Sequence, residues 1–86
     1  MSAPAVVMYT TGWCPYCERS RKLLAAKNVN FEEINIESQP EKRAEMQTRS
    51  GRRTVPQIFI GDQHVGGCDD LHALEDAGKL DGLLGR

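Results

Sequence analysis

Ala5-Val6-Val7-Met8-Tyr9 is an unbroken apolar run of strand length. Such a run is expected as a central strand covered on both faces, because an alternating strand could leave one face to water whereas this one cannot. The remaining elements are therefore read as layers around it. Pro15 to Lys27 carries small or apolar residues at Cys17, Ser20, Leu23 and Leu24, with Glu18, Arg19, Arg21 and Lys22 facing water, which predicts a helix. Asn28 followed by Val29 predicts a left-handed cap that ends it.

Phe31-Glu32-Glu33-Ile34-Asn35-Ile36 is read as alternating apolar and polar residues, which predicts a second strand with one buried face. Ser38 is read as the N-cap of a second helix running to about Ser50, with Pro40 in its first turn, Glu41 as the capping acid and Gly51 as its stop. Pro56 to Ile60, a turn at Gly61-Asp62-Gln63, and His64-Val65-Gly66 predict a hairpin. Gly66-Gly67 breaks the pattern before Asp69, Asp70, Leu71, Leu74 and Leu83-Leu84, which predict C-terminal helices. The order implies an α/β domain spanning residues 1–86. Its four-stranded mixed sheet has one parallel pair, one antiparallel hairpin and flanking helices.

At 86 residues the chain is long enough for one modest core, so a substrate must be met in a surface groove. Eleven basic and twelve acidic side chains give a formal charge of −1. No global field draws such a chain to nucleic acid or acidic lipid. No segment has the make-up of a signal peptide or the length to cross a membrane, so a cytoplasmic location is expected.

Cys14-Pro15-Tyr16-Cys17 lies between the first strand and the first helix. Pro15 suits the opening turn, where its missing N–H costs nothing, and this puts Cys14 at or near the N-cap. Unpaired backbone N–H groups and the positive end of the helix dipole favour a thiolate there. Cys17 follows one turn later on the same side, a separation suited to a reversible disulfide. In a reducing compartment a Cys-x-x-Cys is either catalytic or a metal site. His64, Cys68 and His72, at four-residue spacing, could join the pair to hold zinc, although Pro15 at a helix start suits a dithiol better than a tetrahedral knuckle.

Three landmarks in order, Cys14-Pro15-Tyr16-Cys17, Thr54-Val55-Pro56 and Gly66-Gly67-Cys68-Asp69-Asp70, make the chain resemble the dithiol glutaredoxins of the small bacterial type. The resemblance implies a thioredoxin-like fold and a glutathione-dependent thiol–disulfide oxidoreductase. Cys14 would be the nucleophile and Cys17 the resolving thiol, and Pro56 would follow a cis peptide. It further implies a glutathione site with Val55 offering its backbone to the tripeptide's cysteine. The γ-glutamyl end would be met by Gly67, Cys68 and Asp69, and the glycyl carboxylate by Arg49, with Arg52 and Gln47 as substitutes. Thr11, Tyr16 and Thr54 complete the expected set.

Many members of that family carry a lysine where this chain has Thr11, so the helix terminus and more distant arginines must supply the positive field. Glutathione is implied as a co-substrate, with no permanently bound cofactor and no resident metal. Some relatives share an iron–sulfur cluster between two chains, and this remains the alternative reading. The implied partners are glutathione, disulfide-bearing or glutathionylated proteins, and glutathione reductase indirectly through glutathione. The protein itself is expected to be a monomer. Trp13 and Tyr16 are expected to wall the groove. Cys68 is read as a small buried residue whose backbone matters more than its sulfur.

Overall fold

A computed structural model of the protein describes residues 4–85. The elements run β1 (Val6–Thr10), α1 (Pro15–Ala26), β2 (Glu32–Asn35), α2 (Glu41–Ser50), β3 (Gln57–Ile60), β4 (Gln63–Gly66), α3 (Cys68–Asp76) and α4 (Leu80–Leu83). The sheet has the order β2-β1-β3-β4, with β1 parallel to β2, antiparallel to β3, and β3 antiparallel to β4. The apolar run is thus an interior strand.

Alternation along β1 and β3 sorts the core into two layers. Val6, Met8, Ile58 and Ile60 meet Leu24 of α1, Leu71 of α3, and Leu80 and Leu84. Tyr9 and Phe59 point the other way, to Ile34, Ile36 and Met46 of α2. Helices therefore cover both faces of the sheet, as the uninterrupted run requires.

β2 departs from the expected one-sided pattern. Ile34 and Ile36 pack under α2, whereas Phe31 packs against the opposite cluster. Because side chains alternate, Glu33 is carried to the Phe31 side. There it takes a two-pronged bond from Arg21 of α1 at 2.7 and 2.8 Å and the Thr10 hydroxyl at 2.9 Å. The Arg21 guanidinium, more than Thr10, holds the Glu33 carboxyl below its ordinary range despite partial burial.

Helix ends follow local chemistry. Asn28 takes the left-handed conformation (φ 57°) after α1, and Gly51 does so after α2 (φ 71°). The expected Ser38 cap is not formed. The N-cap of α2 is Pro40 with no side-chain bond, because Asn35 captures the loop first: its side-chain oxygen accepts from the N–H groups of Glu37 and Ser38, and the Ser38 hydroxyl donates to the Asn35 carbonyl. An Asn at the last position of a strand outcompetes the serine by making an Asx turn.

Ser20, buried in α1, has a hydroxyl with no hydrogen-bond partner among the described residues. Ser20→Ala is expected to raise stability by about 1 kcal/mol, by removing an unsatisfied polar group and improving helix propensity. The measurement is the midpoint of urea unfolding, which should rise.

Candidate active site

β1 ends at Thr10, and the short loop after it delivers the chain to Cys14, whose extended backbone (φ −153°, ψ 102°) makes it the N-cap of α1. That loop is tied down where the Glu37 carboxylate accepts from the Gly12 N–H at 2.6 Å. The Cys14 sulfur accepts from the Cys17 N–H at 3.1 Å, one of the donors that a first helical turn leaves without an intrahelical partner. The sulfur thus sits beside an N–H donor at the positive end of the helix dipole.

The two thiols differ in setting. Cys14 is partly exposed, whereas Cys17 is 0% exposed. Burial, and then the neighbouring Cys14 sulfur, push the Cys17 thiol up to about 12, against a backbone hydrogen bond from Thr11 and the charge of Arg21. All three cysteines are thiols. One sulfur is thus presented and the other held back as a protonated thiol.

A cavity of about 220 Å³ opens beside the dithiol. One wall is Tyr16 of α1; another is Thr54-Val55-Pro56 ahead of β3; the third is Gly67, Cys68, Asp69 and Asp70 at the start of α3, with Arg52 opposite. The Val55–Pro56 peptide is cis. The Val55 carbonyl lies 4.0 Å from the Cys14 sulfur, which joins cavity and dithiol into one site.

Of the residues expected from sequence, Tyr16, Thr54, Val55, Pro56, Gly67, Cys68 and Asp69 meet at this cavity. Two are placed elsewhere. Thr11 is not part of the wall; its backbone is hydrogen-bonded to the Cys17 sulfur. Arg49 is turned over the α2 face of the sheet, where its guanidinium lies 4.1 Å from the Phe59 ring centre and donates to the Tyr9 hydroxyl at 2.9 Å. The basic residue at the cavity is Arg52. A side chain in the last turn of a helix leans back along that helix, while Arg52 lies beyond the left-handed turn at Gly51 and is free to reach across. Trp13 also stands apart, 86% exposed, leaving Tyr16 as the aromatic wall.

The sequence places Asp70 only at the start of a C-terminal helix. Its carboxylate accepts from the Gly67 N–H at 2.9 Å and from Arg52 at 3.0 Å, and so braces two walls of the cavity. The Gly67 N–H first, and then Arg52, hold the Asp70 carboxyl below the ordinary range. An acid at the third position of a helix was the available signal. Asp70→Ala is expected to lower stability by roughly 0.5–1 kcal/mol. Because the folded state depresses this carboxyl, the contribution is present above the ordinary value of 3.8 and is lost as pH falls through the depressed one. Urea unfolding of both proteins should therefore differ at pH 7 and converge in acid.

The donors of a zinc reading are dispersed. His64 is bonded to Gln57 and His72 to Cys68 on its own helix, and no group of three or more His, Cys, Asp or Glu among the described residues is arranged to hold a metal ion. Nor is any helix among them long and apolar enough to cross a membrane.

A partly exposed N-cap thiol, a buried partner one turn on, and a cis-proline loop against them on a helix-flanked mixed sheet define a thioredoxin-like dithiol site. The glutaredoxin family profile matches residues 6–65. The chain is 63% identical to a glutaredoxin of Pseudomonas aeruginosa over 81 residues, covering 94% of this chain and 96% of that one. The solution structure of a glutaredoxin from Brucella melitensis superposes with a TM-score of 0.85 at 62% identity, over 98% of this chain and 91% of that one. A buckwheat glutaredoxin–glutathione complex gives 0.85 at 32% identity, over 95% and 76%. The chain belongs to the glutaredoxin family and is a thiol–disulfide oxidoreductase of the small bacterial kind.

Proposed function

We propose that this glutaredoxin uses glutathione to reduce protein disulfides and glutathione mixed disulfides, with Cys14 as nucleophile and Cys17 as resolving thiol. The observation that carries the reading is the position of the Cys14 sulfur, at a helix N-cap and beside a small cavity with both basic and acidic walls. The buckwheat relative in complex with glutathione supports the same occupant. In this reading Val55 meets the tripeptide's cysteine through its backbone. Gly67, Cys68 and Asp69 meet the γ-glutamyl end, Arg52 the glycyl carboxylate, and Tyr16, Thr54 and Pro56 close the sides.

The Cys14 thiolate attacks the glutathionyl sulfur of a mixed disulfide; the S–S bond breaks and the protein sulfur leaves as a thiolate that takes a proton from water. A second glutathione thiolate then attacks the glutathionyl sulfur, releasing glutathione disulfide and the Cys14 thiolate. A sulfur that carries negative charge well is a good leaving group, so the helix terminus assists this second step.

For a protein disulfide, the Cys14 thiolate first attacks one of its sulfurs and frees the other as a thiolate; Cys17 then attacks the Cys14 sulfur of that mixed disulfide and releases the second protein thiolate. Its proton is held by burial and by the charge on Cys14. Once Cys14 is in a disulfide its charge no longer opposes ionisation of Cys17, and burial alone still does. The protein dithiol leaves and two glutathiones reduce the Cys14–Cys17 bond, with glutathione reductase restoring the pool. The setting that suits this cycle is the reducing cytoplasm, with residues 1–86 acting as one monomeric domain.

The test is NADPH consumption with glutathione, glutathione reductase and a glutathionylated peptide. The reading expects turnover that requires glutathione. Turnover driven by a thioredoxin reductase without glutathione would overturn it.

A further inference from the structure

We infer that Gln57 and His64 form a positioning pair which, on the glutathione reading above, sets the affinity for the glutathionyl group and leaves sulfur exchange itself untouched. Gln57 opens β3, a strand whose four residues are all buried, and is itself 0% exposed. A carboxamide at such a position must have each polar atom satisfied. Its nitrogen donates to the Thr54 carbonyl at 3.0 Å and to the Thr54 hydroxyl at 3.2 Å. Its oxygen lies 2.7 Å from His64 Nε2.

A carbonyl can only accept, so the amide nitrogen must face Thr54 and the amide oxygen must accept a hydrogen bond from His64. This fixes the imidazole as an Nε2–H donor. Burial, and then the charge of Arg52, hold His64 below its ordinary value, with Asp70 opposing. The ring is located from behind by Phe59, at 4.9 Å between centres and 34° between planes.

The chain of contacts runs from β4 through Gln57 to Thr54, which walls the cavity. Thr54 adjoins Val55, whose carbonyl stands 4.0 Å from the Cys14 sulfur. Neither Gln57 nor His64 touches the dithiol or lines the cavity. Their effect must pass through the placement of the Thr54–Val55 backbone. Loss of the His64 donor leaves the buried amide oxygen unsatisfied and lets the carboxamide turn, which costs Thr54 its anchor.

The test uses the full chain with a glutathionylated peptide. His64→Phe keeps a ring against Phe59 but removes the donor, and Gln57→Leu removes the link. Each is expected to raise KM for the peptide about tenfold, as loss of one buried hydrogen bond implies. Their kcat should stay within about twofold, and the rate of Cys14 alkylation by iodoacetamide should not change. His64→Gln, which can still aim an N–H at Gln57, should restore KM. An unchanged KM in folded His64→Phe, an equal KM defect in His64→Gln, or a fall in kcat at constant KM would overturn the inference. Failure of the unaltered protein to use glutathione would instead overturn the reading on which it rests.

Discussion

Cys17→Ser is expected to release glutathione from a mixed disulfide at close to the normal rate while reducing protein disulfides on the order of a hundredfold more slowly. Cys14→Ser should lose both activities, on the order of a thousandfold. The asymmetry follows from setting. Cys14 is the partly exposed N-cap sulfur that accepts from the Cys17 N–H, whereas Cys17 is fully buried with its thiol pushed up to about 12 by burial and by Cys14. The backbone N–H that supports Cys14 survives the Cys17→Ser change. The same variant retaining full protein disulfide reduction would contradict the assigned division of labour.

The second large effect is expected at Gly66. Its φ of 116° is one that residues with a Cβ rarely adopt, and a Cβ built there runs into the Asp70 carboxylate. Gly66→Ala therefore strains the backbone and expels the group that bonds Gly67 and Arg52. The expected loss is about 2–4 kcal/mol, which in a domain of this size lowers Tm by roughly 10–25 °C. Gly67→Ala makes a useful contrast: it lacks the positive φ and its Cβ would meet only the Pro56 carbonyl, at 3.4 Å. A Gly66→Ala protein as stable as the original would show that Asp70 does not brace the cavity.

The layered fold was legible because its signals are local. The uninterrupted run at residues 5–9, the left-handed positions at Asn28 and Gly51, and Pro15 after Cys14 each act within a few residues, and each is where the chain predicts it. The sequence misled where two local devices compete or where parity decides. Ser38 looks like a cap but Asn35 takes the loop, and Phe31 looks like a partner of Ile34 although an odd offset of three positions puts them on opposite faces.

At the site the motif residues converge as expected, since each lies at an element end that borders the same end of the sheet. The choice between Arg49 and Arg52 was not legible. It depends on which way a side chain leans from the end of α2, and no spacing encodes that. Gln57 carried a signal in hindsight: a polar residue inside Pro56-Gln57-Ile58-Phe59-Ile60 must be either at a surface or bonded within. Its partners, His64 and Thr54, are visible only once β3 and β4 are paired.

The identity of the sulfur that receives the glutathionyl group decides between the two cysteines' roles. Reduced Cys17→Ser protein mixed with a glutathionylated peptide in the absence of free glutathione, quenched with acid and mapped by mass spectrometry, answers this directly. A glutathione adduct confined to Cys14 is the predicted result; an adduct on Cys68, or none on Cys14 while the peptide is released, would contradict it.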